Sequence, residues 1–170
     1  IFLELITFGM ALIAMVYSSK GEPEVFHNSR LLLNSTIGAV NTLFLLVSGF
    51  FMAQSVRFFK QQAISKASVC LKLTVLGGLL FLALKGFEYY DKIEMGYSIG
   101  YNNFFSFYWM LTLFHVIHVL VGIVILLIMY LDIRKKGAEA SLENIEASAA
   151  FWHMCDIIWI LLFPVIYLIF

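Results

Sequence analysis

Apolar residues along this chain fall in long runs, and polar residues collect between the runs. A helix needs about 20 mostly apolar residues to cross the hydrocarbon core of a bilayer. Five stretches meet or approach that length: Ile1 to Tyr17, Leu31 to Val56, Val69 to Tyr89, Phe104 to Leu131 and Ala149 to Phe170. The pattern predicts an all-α integral membrane bundle of five transmembrane helices, one domain over residues 1–170. The first run is slightly short and begins without methionine, so it reads as a helix whose start is missing from this chain. It lacks the basic region of a signal peptide and carries Glu4 within it. No internal repeat of 20–50 residues is visible.

The segments between the runs are short and polar. Ser18 to Arg30 holds Lys20, Gly21, Glu22, Pro23 and Glu24, a turn-forming cluster. Arg57 to Lys72 carries Arg57, Lys60, Lys66 and Lys72 and no acid, and Asp132 to Ser148 carries Arg134, Lys135 and Lys136 beside Glu139, Glu143 and Glu146. These two basic linkers lie on one side of a five-helix bundle. The positive-inside rule assigns that side to the cytoplasm, which puts the N-terminus inside and the C-terminus outside. Tyr17, Tyr89, Tyr90, Trp109, Tyr130 and Trp152 lie near run ends, where aromatic residues anchor helices at the membrane interface.

Composition turns this pattern into an exclusion. The chain is 62% hydrophobic and 13% charged, with a mean hydropathy of +0.92. A soluble domain is about half apolar and about a quarter charged, so this chain cannot cover a water-facing surface. Its net charge is zero, which leaves no basic face for nucleic acid. Cys70 and Cys155 have neither disulfide-framework nor zinc-knuckle spacing.

Ionisable groups inside membrane spans carry the chemical information, because each is expensive to bury unless paired or hydrated. Glu4 reads as an intramembrane carboxylate facing a partner helix or proton path, or else as an interfacial residue. Asn41 and Thr42, mid-span, suit interhelical hydrogen bonds. Lys85 and Glu88 lie three apart and can pair on one helix face, with a proton relay as the alternative. His115 and His118 share a face of the fourth run. Without a clear third and fourth ligand they fit bonds to neighbouring helices or lipid better than a metal site. Asp156 needs a partner, which His153 on its own helix, or His115 or His118, could supply. Trp152, Asp156, Trp159 and Phe163 form a helical stripe that suits a packing face with one polar clasp.

These residues also carry a resemblance. FLELITFG, AVNTLFLLVSG, LKGFEYYDKI, FHVIHVLVG and FWHMCDIIWILLFPVIYL resemble, in order and nearly end to end, the segments of subunit III of the haem-copper oxidases. Residue by residue, the resemblance marks Glu4, Asn41, Glu88, His115, His118, Glu146, Trp152, His153, Asp156 and Trp159 as structural, proton-related or lipid-contact positions. It implies a non-catalytic subunit that binds no haem, copper or other metal itself. Haem, with copper or non-haem iron, belongs to a catalytic partner subunit, beside which subunit III supports assembly, lipid contact and proton access. It also implies a bacterial inner membrane location. The fullest family members have seven helices, with a lipid cleft between the first two and the rest. Five-helix forms include quinol oxidase subunit III and the NorE-type accessory proteins of nitric oxide reductase. The runs NNFFSFYWMLTLFH and FWHMCDIIWILLFPVIYL look most like the NorE-type branch, so a NorE-like subunit is the expected function. Subunit III of a proton-pumping cytochrome c or quinol oxidase is the alternative. Remoter readings are a free-standing haem or metal enzyme using His115, His118 and His153, and a small transporter, which would usually show inverted repeats.

Overall fold

The computed structural model describes residues 1–170. Six α-helices follow one another: α1 (Phe2–Ser19), α2 (Pro23–Leu31), α3 (Ser35–Lys60), α4 (Ile64–Glu94), α5 (Asn103–Lys136) and α6 (Leu142–Pro164). All but α2 are long and apolar enough to cross a membrane. The fold is an all-α membrane bundle of five spans.

The helices overrun their apolar runs. α3 continues to Lys60 instead of Val56, α4 spans Ile64–Glu94 instead of Val69 to Tyr89, and α6 starts at Leu142 instead of Ala149. The cause is geometric. At 1.5 Å per residue, the 31 residues of α4 run to about 46 Å, against about 30 Å of hydrocarbon. The surplus turns lie in the interfacial layer, where lysine and arginine stems cover apolar surface while their charged ends stay wet. Most of the expected basic linkers are therefore helical.

The polar stretch from Ser18 to Arg30, read as a turn, contains α2. Pro23 stands at the helix start, where a missing N–H is tolerated. Phe26 fixes the helix, fully buried between the rings of Phe104 and Phe170 at centroid distances of 5.7 and 5.2 Å. Asn102 donates its side-chain amide to Ser29 at 2.8 Å. Side chains cap three later helices: Asn34 for α3, Asn102 for α5 and Ser141 for α6.

α3 and α4 form the most extensive helix pair, and α6 packs across α3 and α5. α1 is the least buried span and leans on α5 and α6. Small residues let the inner helices close. A Cβ on Gly78 of α4 would meet the Trp152 ring at 2.5 Å, and one on Gly122 of α5 would meet it at 3.0 Å. Trp152 is thus a core residue, fully buried, and not the interfacial anchor its position suggested. Tyr17 and Tyr90 are exposed, as anchors are. Beyond Pro164, which lacks the N–H that an α-turn needs, the chain widens into a π-helical turn over Val165–Ile169. That turn buries Ile166 and Tyr167.

Candidate functional site

Three groups of buried or half-buried polar residues join the helices. The first joins the C-terminal end of α4 to α5 and to the turn after α6. Lys85 and Glu88 are one turn apart on α4 and are 1% and 2% exposed. The Lys85 ammonium lies 3.3 Å from Glu88 Oε2 and donates to the Tyr167 hydroxyl at 2.8 Å. Glu88 Oε1 accepts from the Tyr108 hydroxyl at 2.8 Å and from the Tyr167 hydroxyl. Four rings stand 5.0–5.4 Å from the ammonium, those of Tyr89, Tyr108, Trp159 and Tyr167. Their π faces attract a cation that water cannot reach. Glu88 has partners from three chain segments and Lys85 acceptors from two, which makes the cluster an interhelical clasp. Tyr108 and Tyr167 were not legible as members. Their signal was weak: each is a tyrosine near a helix end, the ordinary place for an interfacial anchor.

The second group follows the seam between α3 and α6. Trp152 donates its indole N–H to Ser48 at 2.9 Å, and Trp159 donates to Thr42 at 2.9 Å. Between these bonds the Asp156 carboxylate sits against Gly49, where any Cβ would collide with it. His153 Nδ1 approaches Asp156 Oδ2 at 3.7 Å, while Oδ1 is buried without a partner. Neither histidine of α5 reaches this aspartate. His115, fully buried, bonds through Nε2 to the Cys155 carbonyl at 2.9 Å. A carbonyl only accepts, so the proton sits on Nε2 and the unpartnered Nδ1 is a bare acceptor. Asn41 departs from expectation. It is fully buried, yet neither amide atom has a partner, and the interhelical bond forms at Thr42 instead.

The third group joins α1 to the bundle. Glu4 Oε2 lies 3.0 Å from His118 Nε2, and Phe8 packs beside that ring at 5.6 Å. His118 Nδ1 donates to the Phe114 carbonyl at 2.7 Å. The Glu4–His118 contact must then contain one proton. Either the imidazole is neutral and a protonated Glu4 donates, or the imidazolium donates to a carboxylate. The arrangement can hold a proton and pass it between two helices.

The structure scatters the marked residues over these groups. Glu146 stands apart, paired with Lys60 at 2.6 Å on the exposed surface. No three histidine, cysteine, aspartate or glutamate side chains come together as a metal-binding set. His115, His118 and His153 have separate partners.

Comparison with known proteins gives this geometry a context. The family profile for cytochrome c oxidase subunit III matches residues 30–169, which include all the polar residues of these three groups except Glu4. The chain belongs to the cytochrome c oxidase subunit III family. Among its relatives, cytochrome bo(3) ubiquinol oxidase subunit 3 of Buchnera aphidicola is 31% identical over 85% of this chain and 68% of its own length. Cytochrome c oxidase subunit 3 of Rhipicephalus sanguineus is 34% identical over 80% and 49%. The Synechocystis protein of that name is 30% identical over 81% and 58%. The chain thus spans between about half and two thirds of these subunit III relatives. Within the family frame, the clasp on α4 and the α3–α6 seam both fall in the matched region.

Proposed function

We propose that this chain serves as subunit III of a proton-pumping cytochrome c or quinol oxidase. In this reading it is a non-catalytic membrane subunit that supports assembly, lipid contact and proton access of a haem-bearing catalytic subunit. One observation carries the reading. In a chain of this family, the buried Lys85–Glu88 pair closes within α4 and is completed by tyrosines from α5 and the turn after α6, instead of lining one open cavity where a substrate could react. The names of the relatives, cytochrome c and ubiquinol oxidase subunits, support an oxidase partner. Proton access would run through the Glu4–His118 pair and Asp156, the carboxylates with incomplete or shared partners. A NorE-type role beside nitric oxide reductase rests on the likeness of residues 102–115 and 151–168 to that branch. In both readings the membrane is the bacterial inner membrane, with the N-terminus cytoplasmic.

The test is capture of the tagged chain in mild detergent, with co-purifying polypeptides identified by mass. The expected result is a haem-copper oxidase core. A nitric oxide reductase core would replace this reading with the NorE-type one. A chain captured alone that carries stoichiometric haem would overturn both.

A further inference from the structure

A polar pocket of about 560 Å³ opens where α4 begins and α5 ends. Ser65, Ser68 and Lys72 line it from α4, at spacings that bring them onto one helix face. Tyr130 and Arg134 line it from α5 in the same way, Gly137 closes it just beyond the helix, and buried Ile133 forms part of its wall. The Lys72 ammonium stands 5.3 Å from the centre of the Tyr130 ring. Arg134 is one turn further out along α5, a rise of about 6 Å. The two cations line one groove.

No carboxylate lines this pocket. Of the acids near this end of α5, Asp132 and Glu146 have other partners, and Glu139 and Glu143 neither line the pocket nor form an ion pair. Asp132 pairs with Lys136 at 2.9 Å and Glu146 pairs with Lys60 at 2.6 Å. Lys72 and Arg134 take part in no ion pair, so two like charges share one concavity without a counter-charge. The ammonium, the guanidinium and three hydroxyls can all donate, and a tetrahedral oxyanion accepts from all of them. Arginine supplies a planar fork and lysine a point charge, a combination suited to phosphate. Basic pockets between transmembrane helices at a bilayer face are a recurrent setting for phosphate head groups.

We propose that Ser65, Ser68, Lys72, Tyr130 and Arg134 form a binding site for a phosphate-bearing anion, taken from an anionic phospholipid headgroup or from free phosphate. The site is independent of which catalytic core the chain accompanies.

The experiment uses the protein purified from membranes with its accompanying subunits. Native mass spectrometry counts retained phosphatidylglycerol, and thermal unfolding is followed against inorganic phosphate, with chloride at matched ionic strength. The pocket variant is Lys72→Gln/Arg134→Gln. The control, Lys60→Gln/Lys136→Gln, removes the same charge outside the pocket. The expected result is binding by wild type and control, and about thirtyfold weaker binding by the pocket variant. Retained phosphatidylglycerol without a phosphate response makes the lipid the source, and a response to inorganic phosphate makes it the free anion. Ser68→Ala/Tyr130→Phe keeps every charge and serves if the first variant misfolds; it too should bind more weakly. Equal loss in pocket and control variants, unchanged binding in the charge-preserving variant, or binding of neither probe by the wild type overturns the site.

Discussion

An ammonium buried among aromatic rings persists because every charge near it is matched. Removing one partner of such a pair strands the other, and the penalty for a buried unpaired charge is about 3–5 kcal/mol. Lys85→Met should therefore destabilise the protein by about that amount. Lys85→Met/Glu88→Gln, which removes both charges, should recover a large part of the loss. Denaturant unfolding in detergent, followed by circular dichroism, measures both; equal loss in the two would mean that the Lys85–Glu88 pair is not coupled. Half of this cluster was readable in advance, because Lys85 and Glu88 are three apart on one helix. Tyr108 and Tyr167 were not, lying 20 and 79 residues from Glu88. Asn41 marks another limit at this scale. Adjacent residues on a helix point about 100° apart, and the apolar pattern around Asn41 and Thr42 does not say which of them meets Trp159.

Helix pairs respond to single atoms. Gly49 leaves room for the Asp156 carboxylate between α3 and α6, whereas Gly86 on α4 has nothing within 4 Å of where a Cβ would stand. Gly49→Ala should separate the two helices and destabilise the protein by about 1–3 kcal/mol. Gly86→Ala should be neutral or stabilising, since alanine outranks glycine in a helix by up to about 1 kcal/mol. Comparing the two denaturation midpoints checks this, and equal effects would remove the steric argument. The five spans were legible as elements because their length against the bilayer is decisive. α2 was not, because a nine-residue helix with a mostly polar face reads like a loop until Phe26 is seen inserted among other rings. Helix ends were misjudged for a related reason: hydropathy stops at the edge of the hydrocarbon, but backbone hydrogen bonding continues into the interface.

For the molecule as a whole, the charge of the connections predicts the orientation. The α3–α4 and α5–α6 connections share one end of the bundle with Arg57, Lys60, Lys66, Arg134, Lys135 and Lys136. A reporter fused after Phe170 should be active only outside the cytoplasm, and cytoplasmic activity would reverse the orientation. The bundle's long-range ties, such as Glu4 to His118 across 114 residues, join residues too far apart for any local spacing rule to connect. The Lys85 clasp has a consequence for biogenesis. Ribosomes deliver α4 to the membrane with Lys85, Glu88 and Lys92 already in it, before the tyrosine of α5 and the one beyond α6 have been made. α4 can satisfy part of that charge within itself, but not the remainder. Nascent α4 should therefore linger beside the insertion machinery and commit to lipid only when the C-terminal third of the chain arrives, which ties membrane integration to the order of translation.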